Sequence, residues 1–187
     1  MTYIQGHYYH IYNRGCNKEK IFFCEDNYYY LLKKMKMSFQ DCGANVIAYC
    51  LMPNHYHLLV QQLTEKELSK WLRKIFVGYS QAINKQQNRS GTLFESRPKH
   101  IEIDKEEYLS HLMWYIHTNP ASAGIVAKPE QWKFSNYLEC IGKRNGKLFD
   151  KDFIHFRYGS YSEYEHFINN YQCNQSFEKE IRDYLID

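Results

Sequence analysis

Leu51-Met52-Pro53-Asn54-His55-Tyr56-His57-Leu58-Leu59-Val60 is the stretch on which the reading of this chain turns. Pro53-Asn54 is turn chemistry, and the run after it reads as a strand whose side chains alternate between the two faces of a sheet. His55 and His57 then share one face, where a single metal ion could take both imidazoles. Tyr56, Leu58 and Val60 point the other way, into a core. A bare His-x-His is equally compatible with a pair of surface histidines, so a second segment matters. At about 100° per residue, Leu109, Leu112, Met113 and Ile116 form the core side of a helix, and Tyr108, Tyr115 and Asn119 form a stripe beside it. Tyr115 and Asn119 are neighbours at i and i+4, a phenol next to a carboxamide oxygen. Asp104 with Glu107 reads as the capping box that opens this helix, and Pro120 as its stop.

Working outward, residues 7–13 read as a strand closed by the turn Asn13-Arg14-Gly15, and residues 26–41 as a helix ended by Gly43. Residues 45–52 and 55–62 make a hairpin about Pro53-Asn54. Thr64-Glu65-Lys66-Glu67 is a capping box for a helix that runs to residue 87 and is broken by Asn88-Arg89-Ser90-Gly91. Residues 100–103 are a short strand. The order β-α-β-β-α-β-α is the split βαβ, ferredoxin-like or RRM-like pattern of the α+β class, an antiparallel sheet with helices on one face. Further on, Ser135 can cap a short helix to Ile141, residues 142–147 are a polar loop, and residues 161–171 and 175–186 read as amphipathic helices, the first with a Ser162-x-x-Glu165 cap. No repeat or low-complexity linker intervenes. The expected organisation is one domain at 1–149 with a C-terminal helical extension at 150–187.

Composition bounds the partners. With 187 residues, 44% of them apolar, and a mean hydropathy of −0.67, the chain reads as a soluble globular protein with a proper core. The start lacks the basic and apolar regions of a signal peptide and no run is long enough to span a bilayer, so the expected location is cytoplasmic, with no membrane partner. A net charge of +3 is mild for a duplex-binding protein. The 18 tyrosines could offer stacking faces to single strands, although most sit at packing positions. Six cysteines without a C-x-x-C pair indicate neither a zinc knuckle nor a disulfide framework, and read as reduced, mostly buried residues.

Four segments together resemble a known family: Tyr12-Asn13-Arg14-Gly15, the stretch from Leu51 to His57, Gly91-Thr92-Leu93-Phe94-Glu95-Ser96-Arg97, and Tyr115-Ile116-His117-Thr118-Asn119-Pro120-Ala121-Ser122-Ala123-Gly124-Ile125-Val126. Over roughly residues 5–140 the chain is similar to the single-tyrosine HUH transposases, the insertion-sequence-200-like group, and within them to the REP-associated tyrosine transposases. The resemblance implies an HUH endonuclease-like palm and a metal-dependent DNA transposase. Tyr115 would be the nucleophile on single-stranded or hairpin DNA, giving a 5′-phosphotyrosine and a free 3′-hydroxyl before strand transfer. His55, His57 and Asn119 would hold a divalent metal, magnesium or manganese. Arg14, Arg97 and Lys99, in or next to family-like loops, are the phosphate-binding candidates. The absence of a P-loop agrees with chemistry that keeps the energy of the broken bond. A homodimer stays open, while the tail 128–137, which resembles the REP-associated group, favours a monomer. His100, His111 and His117 could substitute as ligands in principle. Two alternatives remain: a domesticated, non-catalytic nucleic-acid-binding protein on the same fold, and a hydrolytic metalloenzyme, which would want a third His or carboxylate ligand and an acid-base partner.

Overall fold

Four stretches become β1 (Tyr8–Arg14), β2 (Ala44–Leu51), β3 (His55–Gln62) and β4 (Lys99–Ile103). In the computed structural model, which describes residues 3–38, 43–64 and 68–172, they pair antiparallel in the order β2-β3-β1-β4. Helix α1 (Glu25–Ser38) joins β1 to β2 and α2 (Leu68–Gln86) joins β3 to β4, completing the split βαβ fold. The capping box at 64–67, the helix at 175–186, Cys42 and Cys173 lie, wholly or in part, outside the described residues.

The alternation of β3 divides the molecule into two cores. Tyr56, Leu58 and Val60 pack with Tyr9 and Ile11 of β1 against Leu31 and Met35 of α1 and Trp71, Ile75, Phe76 and Tyr79 of α2. On the other face Leu59, with Ile47, Ala48 and Cys50 of β2, meets Leu109, Leu112, Met113 and Ile116 of α3 (Glu106–Ser122). Helices therefore cover both faces, where one was expected. The reason is visible in β2, an almost continuous apolar run, which is what burial on both sides demands. Its register slips between Val46 and Ala48, a bulge that turns Ile47 and Ala48 to the same side, toward α3.

Helix α3 departs from expectation at both ends. Its N-cap is Lys105, with no side-chain cap, in place of the Asp104 box. It also runs past Pro120 to Ser122. The proline removes one helical N–H without ending the helix, and the stop is Gly124 in the left-handed region, φ 68°. The Gly124 N–H donates to the Ala121 carbonyl at 3.0 Å and the Ile125 N–H to the Pro120 carbonyl at 3.0 Å, the paired bonds of a Schellman cap.

After Pro120 three short helices close the second core. In α4 (Tyr137–Cys140) the Tyr137 N–H donates to Ser135 Oγ at 3.1 Å. The unanticipated α5 (Lys151–Tyr158) is capped by Asp150. In α6 (Tyr161–Asn170) the cap is Ser160, which accepts from the Glu163 N–H at 3.2 Å, not Ser162. Phe153, Ile154, Tyr164 and Ile168 pack in the same apolar cluster as α3. The loop after α4 is less free than its polarity suggests, because Arg144 pairs with buried Glu139 at 2.6 Å and donates to the Lys133 carbonyl at 2.8 Å. Of the four described cysteines, Cys50 and Cys140 are buried and Cys16 and Cys24 are not; all four are free. Among the described residues no helix is long and apolar enough to cross a membrane.

Candidate active site

Cross-strand register assembles the site. Arg14 lies opposite His55 and Tyr12 opposite His57, while Lys99 of β4 lies opposite Tyr12. Residues paired across antiparallel strands share a face, so all five belong to the face that α3 covers. The loops at this end lock one another. The Gly15 N–H donates to the Asn54 carbonyl at 2.7 Å, the Ile21 N–H to the Pro53 carbonyl at 2.9 Å, and Asn54 Nδ2 to the Lys18 carbonyl at 3.2 Å. The Glu95 N–H donates to the Arg14 carbonyl at 3.0 Å and Asn13 Nδ2 to the Ser96 carbonyl at 2.8 Å. A Cβ on Gly15 would fall 2.0 Å from the Glu19 carbonyl oxygen, so only glycine permits this crossing. Stretches distant in sequence thus form one scaffold around the hairpin that carries His55.

On that scaffold His55 and His57 converge, ring centroids 5.0 Å apart at 80°. His55 Nε2 is 3.2 Å from Asn119 Oδ1. Tyr115 sits edge-on to His57, centroids 5.1 Å apart at 83°. His57 and Asn119 are buried, and His55 and Tyr115 each keep 7% exposure, marking the mouth of the site. The tyrosine helix thus delivers the phenol and the amide to the two histidines of its own chain.

The donor set fits a cation. His55 Nδ1 lies 2.8 Å from Asn54 Oδ1, and the Asn54 amide is oriented by its bond to Lys18. A neutral ring therefore carries its proton on Nδ1 and turns the Nε2 lone pair toward Asn119 Oδ1, itself an acceptor. A cation between them would take both lone pairs, which lie 3.2 Å apart. Two donors at about 2.1 Å from one ion and at right angles to each other are about 3.0 Å apart. His57 Nε2 is a buried nitrogen with no hydrogen-bond partner, while its Nδ1 is 2.9 Å from His10 Nε2. Burial, reinforced by His10 and His55 beside it, holds the His57 imidazole well below its ordinary pKa, in the neutral form that ligates. Burial alone lowers His10 to about 3. Imidazole nitrogens suit zinc, nickel or copper, and an amide oxygen suits magnesium or manganese.

The other histidines are elsewhere. His100 lies near Tyr3 and is paired with Ile11, on the opposite sheet face. His111 packs on Trp114 and Tyr171. His117 has both nitrogens engaged, Nδ1 with Tyr164 Oη at 2.6 Å and Nε2 with Asn136 Oδ1 at 3.0 Å, and burial lowers it to about 4. Among the described residues no group of three or more His, Cys, Asp or Glu is placed to hold a metal ion. Of the basic candidates, Arg97 and Lys99 are exposed. The Arg14 guanidinium is bound by both oxygens of Glu95.

His10, Tyr12 and Asn136 were not singled out from the sequence. His10 and Tyr12 alternate with Tyr9 and Ile11, a signal that places them on one face but does not say that His57 is across from it. The His10 ring stacks on Tyr12 at 4.7 Å.

Residues 3–119 match the family model described as IS200-like transposases. No curated protein matches the chain. Among solved structures, a REP-associated tyrosine transposase bound to a REP hairpin is similar at 20% identity with a TM-score of 0.65, over 80% of this chain and 92% of that one. A Deinococcus radiodurans R1 protein described as a candidate transposase aligns at 15% identity and a TM-score of 0.44, over 61% and 91% of the two chains. The first likeness is one of fold.

Proposed function

Because the chain belongs to the IS200-like transposases, we propose that it cleaves and rejoins single-stranded DNA at a hairpin, with Tyr115 as nucleophile. The observation that carries this reading is the meeting in one chain of the Tyr115 ring with His57, at 5.1 Å, and of His55 with Asn119, at 3.2 Å. The Tyr115 oxygen attacks the phosphorus, a tyrosyl O–P bond forms, and the P–O3′ bond breaks. The phenolic proton is given up and the departing 3′ oxygen ends as a hydroxyl. The phosphodiester energy is kept in the phosphotyrosine, so the 3′-hydroxyl can reverse the step or another end can replace it.

A phenol with a pKa of about 10 is a weak nucleophile at neutral pH. His55, His57 and Asn119 would hold a divalent ion, which when bound polarises the scissile phosphate and stabilises charge building on its oxygens. The hairpin turn and the Gly15 crossing fix the two imidazoles. The Schellman-capped end of α3 fixes Asn119. Lys99, opposite Tyr12 in the register, and Arg97 are exposed and would supply phosphate contacts, and a phosphate reaching Arg14 competes with Glu95 for the guanidinium.

The test is incubation with single-stranded hairpin oligonucleotides from the gene's own flanks, with magnesium or manganese, read as a covalent adduct on a denaturing gel. Wild type and Tyr108→Phe should form the adduct and Tyr115→Phe should not, while Tyr115→Phe keeps the fold and DNA binding. An adduct with Tyr115→Phe overturns the assignment, and unchanged turnover in that variant would mark a hydrolase.

A further inference from the structure

The His10–His57 pair is a feature that the reading above leaves unused. His10 is fully buried on β1, two residues from Tyr12, and its Nε2 lies 2.9 Å from His57 Nδ1. The rings meet edge to edge and nearly parallel, centroids 5.2 Å apart at 22°, as an in-plane N–H···N bond requires. The two outer nitrogens, His10 Nδ1 and His57 Nε2, have no hydrogen-bond partner. Two neutral imidazoles carry two protons on four nitrogens, and only one proton can lie between the facing pair. If that proton is on His10 Nε2, the other sits on His57 Nε2, which then cannot ligate. If it is on His57 Nδ1, the His57 Nε2 lone pair is bare. Only the second arrangement serves a cation.

Resting on the metal-site reading, we propose that His10 is a positioning residue: its bare Nε2 accepts the proton of His57 Nδ1 and so holds the His57 Nε2 lone pair ready for the metal. An imidazole that ligates through one nitrogen commonly donates from the other to an acceptor that fixes its tautomer and raises its basicity. That acceptor is usually a carboxylate or a carbonyl; here a second, fully buried histidine at 2.9 Å takes the role. The stack on Tyr12 holds the His10 ring, so the ring is set by β1 and not by the metal.

Zinc titration by calorimetry and the imidazole tautomers read by long-range proton–nitrogen-15 correlation test this on the full chain. In the zinc-loaded wild type, His10 should carry its proton on Nδ1 with Nε2 bare. His10 protonated on Nε2 would overturn the proposal, and this measurement needs no variant. His10→Phe keeps an aromatic ring but removes the acceptor, and zinc affinity should fall about 10- to 100-fold. His10→Gln can still accept through its amide oxygen and should recover most of that loss. Equal affinity in wild type and a folded His10→Phe would also overturn it. His57→Ala separates the two levels. If it leaves zinc binding intact, the metal-site reading has failed; if it abolishes binding while His10→Phe does not weaken it, only the role of His10 has failed.

Discussion

Buried histidines decide how this protein answers acid. His117 is fully buried and its pKa stands at about 4, because burial penalises the charged ring by more than its bond to Asn136 relieves. In the unfolded chain the same group titrates at about 6.5. Above that pH both states are neutral and the group contributes no pH dependence. As the pH falls from 6.5 toward 4, the unfolded chain binds a proton that the folded one refuses, so stability drops, by about 3 kcal/mol for this residue alone. His10 and His57, lowered in the same direction, add to the loss. The melting temperature should therefore fall steeply between pH 6.5 and 4.5 while it is flat from 7 to 8. A melting temperature that holds constant down to pH 4.5 would show that these rings are reached by water. The shared face of His55 and His57 was legible from alternation alone. The partnership with His10 was not, because it depends on which residue of β1 lies beside β3, and register is a property of two strands.

Helix α3 owes its placement to an asparagine far along the chain. The Tyr49 N–H donates to Asn136 Oδ1 at 2.7 Å, Asn136 Nδ2 donates to the Ile47 carbonyl at 3.0 Å, and His117 Nε2 donates to the same Oδ1 at 3.0 Å. The two backbone bonds orient the amide, so His117 holds its proton on Nε2 and accepts from the Tyr164 hydroxyl on Nδ1. One side chain thus ties the bulge of β2, the helix of Tyr115 and Asn119, and α6. Asn136→Ala should leave a buried amide N–H, carbonyl and imidazole unsatisfied and lower stability by about 3 kcal/mol, measured by urea denaturation. A change below about 0.5 kcal/mol, typical of a surface position, would show that these groups find other partners. The sequence placed α3 from its apolar stripe but set its end at Pro120, since proline is a conspicuous breaker and the glycine cap four residues later is quieter. For Asn136 the sequence offers only the first position of the short helix that Ser135 caps. Its role follows from a tertiary contact that no local pattern announces.

At the scale of the whole molecule, the tyrosine, both histidines and the asparagine meet within one chain. A mixture of Tyr115→Phe and His57→Ala proteins should therefore give no covalent adduct. If copies exchanged their tyrosine helices, half of the pairs would be mixed and about a quarter of sites would be restored, so recovery to that level would refute an in-chain site. The four strands, the hairpin about Pro53-Asn54 and both crossover helices were legible, because each rests on periodicity and turn chemistry within a short window. The second layer was less so: α5 is only Lys151–Tyr158, too short for its amphipathic pattern to stand out.

The amide of Asn136 and the hydroxyl of Tyr164 hold the helix that carries Tyr115, yet both lie beyond residue 119, where the family match ends. This has a consequence for how such a protein can be rebuilt or can diverge. A gene joined at that boundary to the tail of a relative would import a different partner for His117, with a bare imidazole sealed in the interior. The break point that sequence similarity recommends is thus one that the folded chain would punish. Exchanges that carry the tail along with the helix keep the donor and the acceptor in the same inheritance.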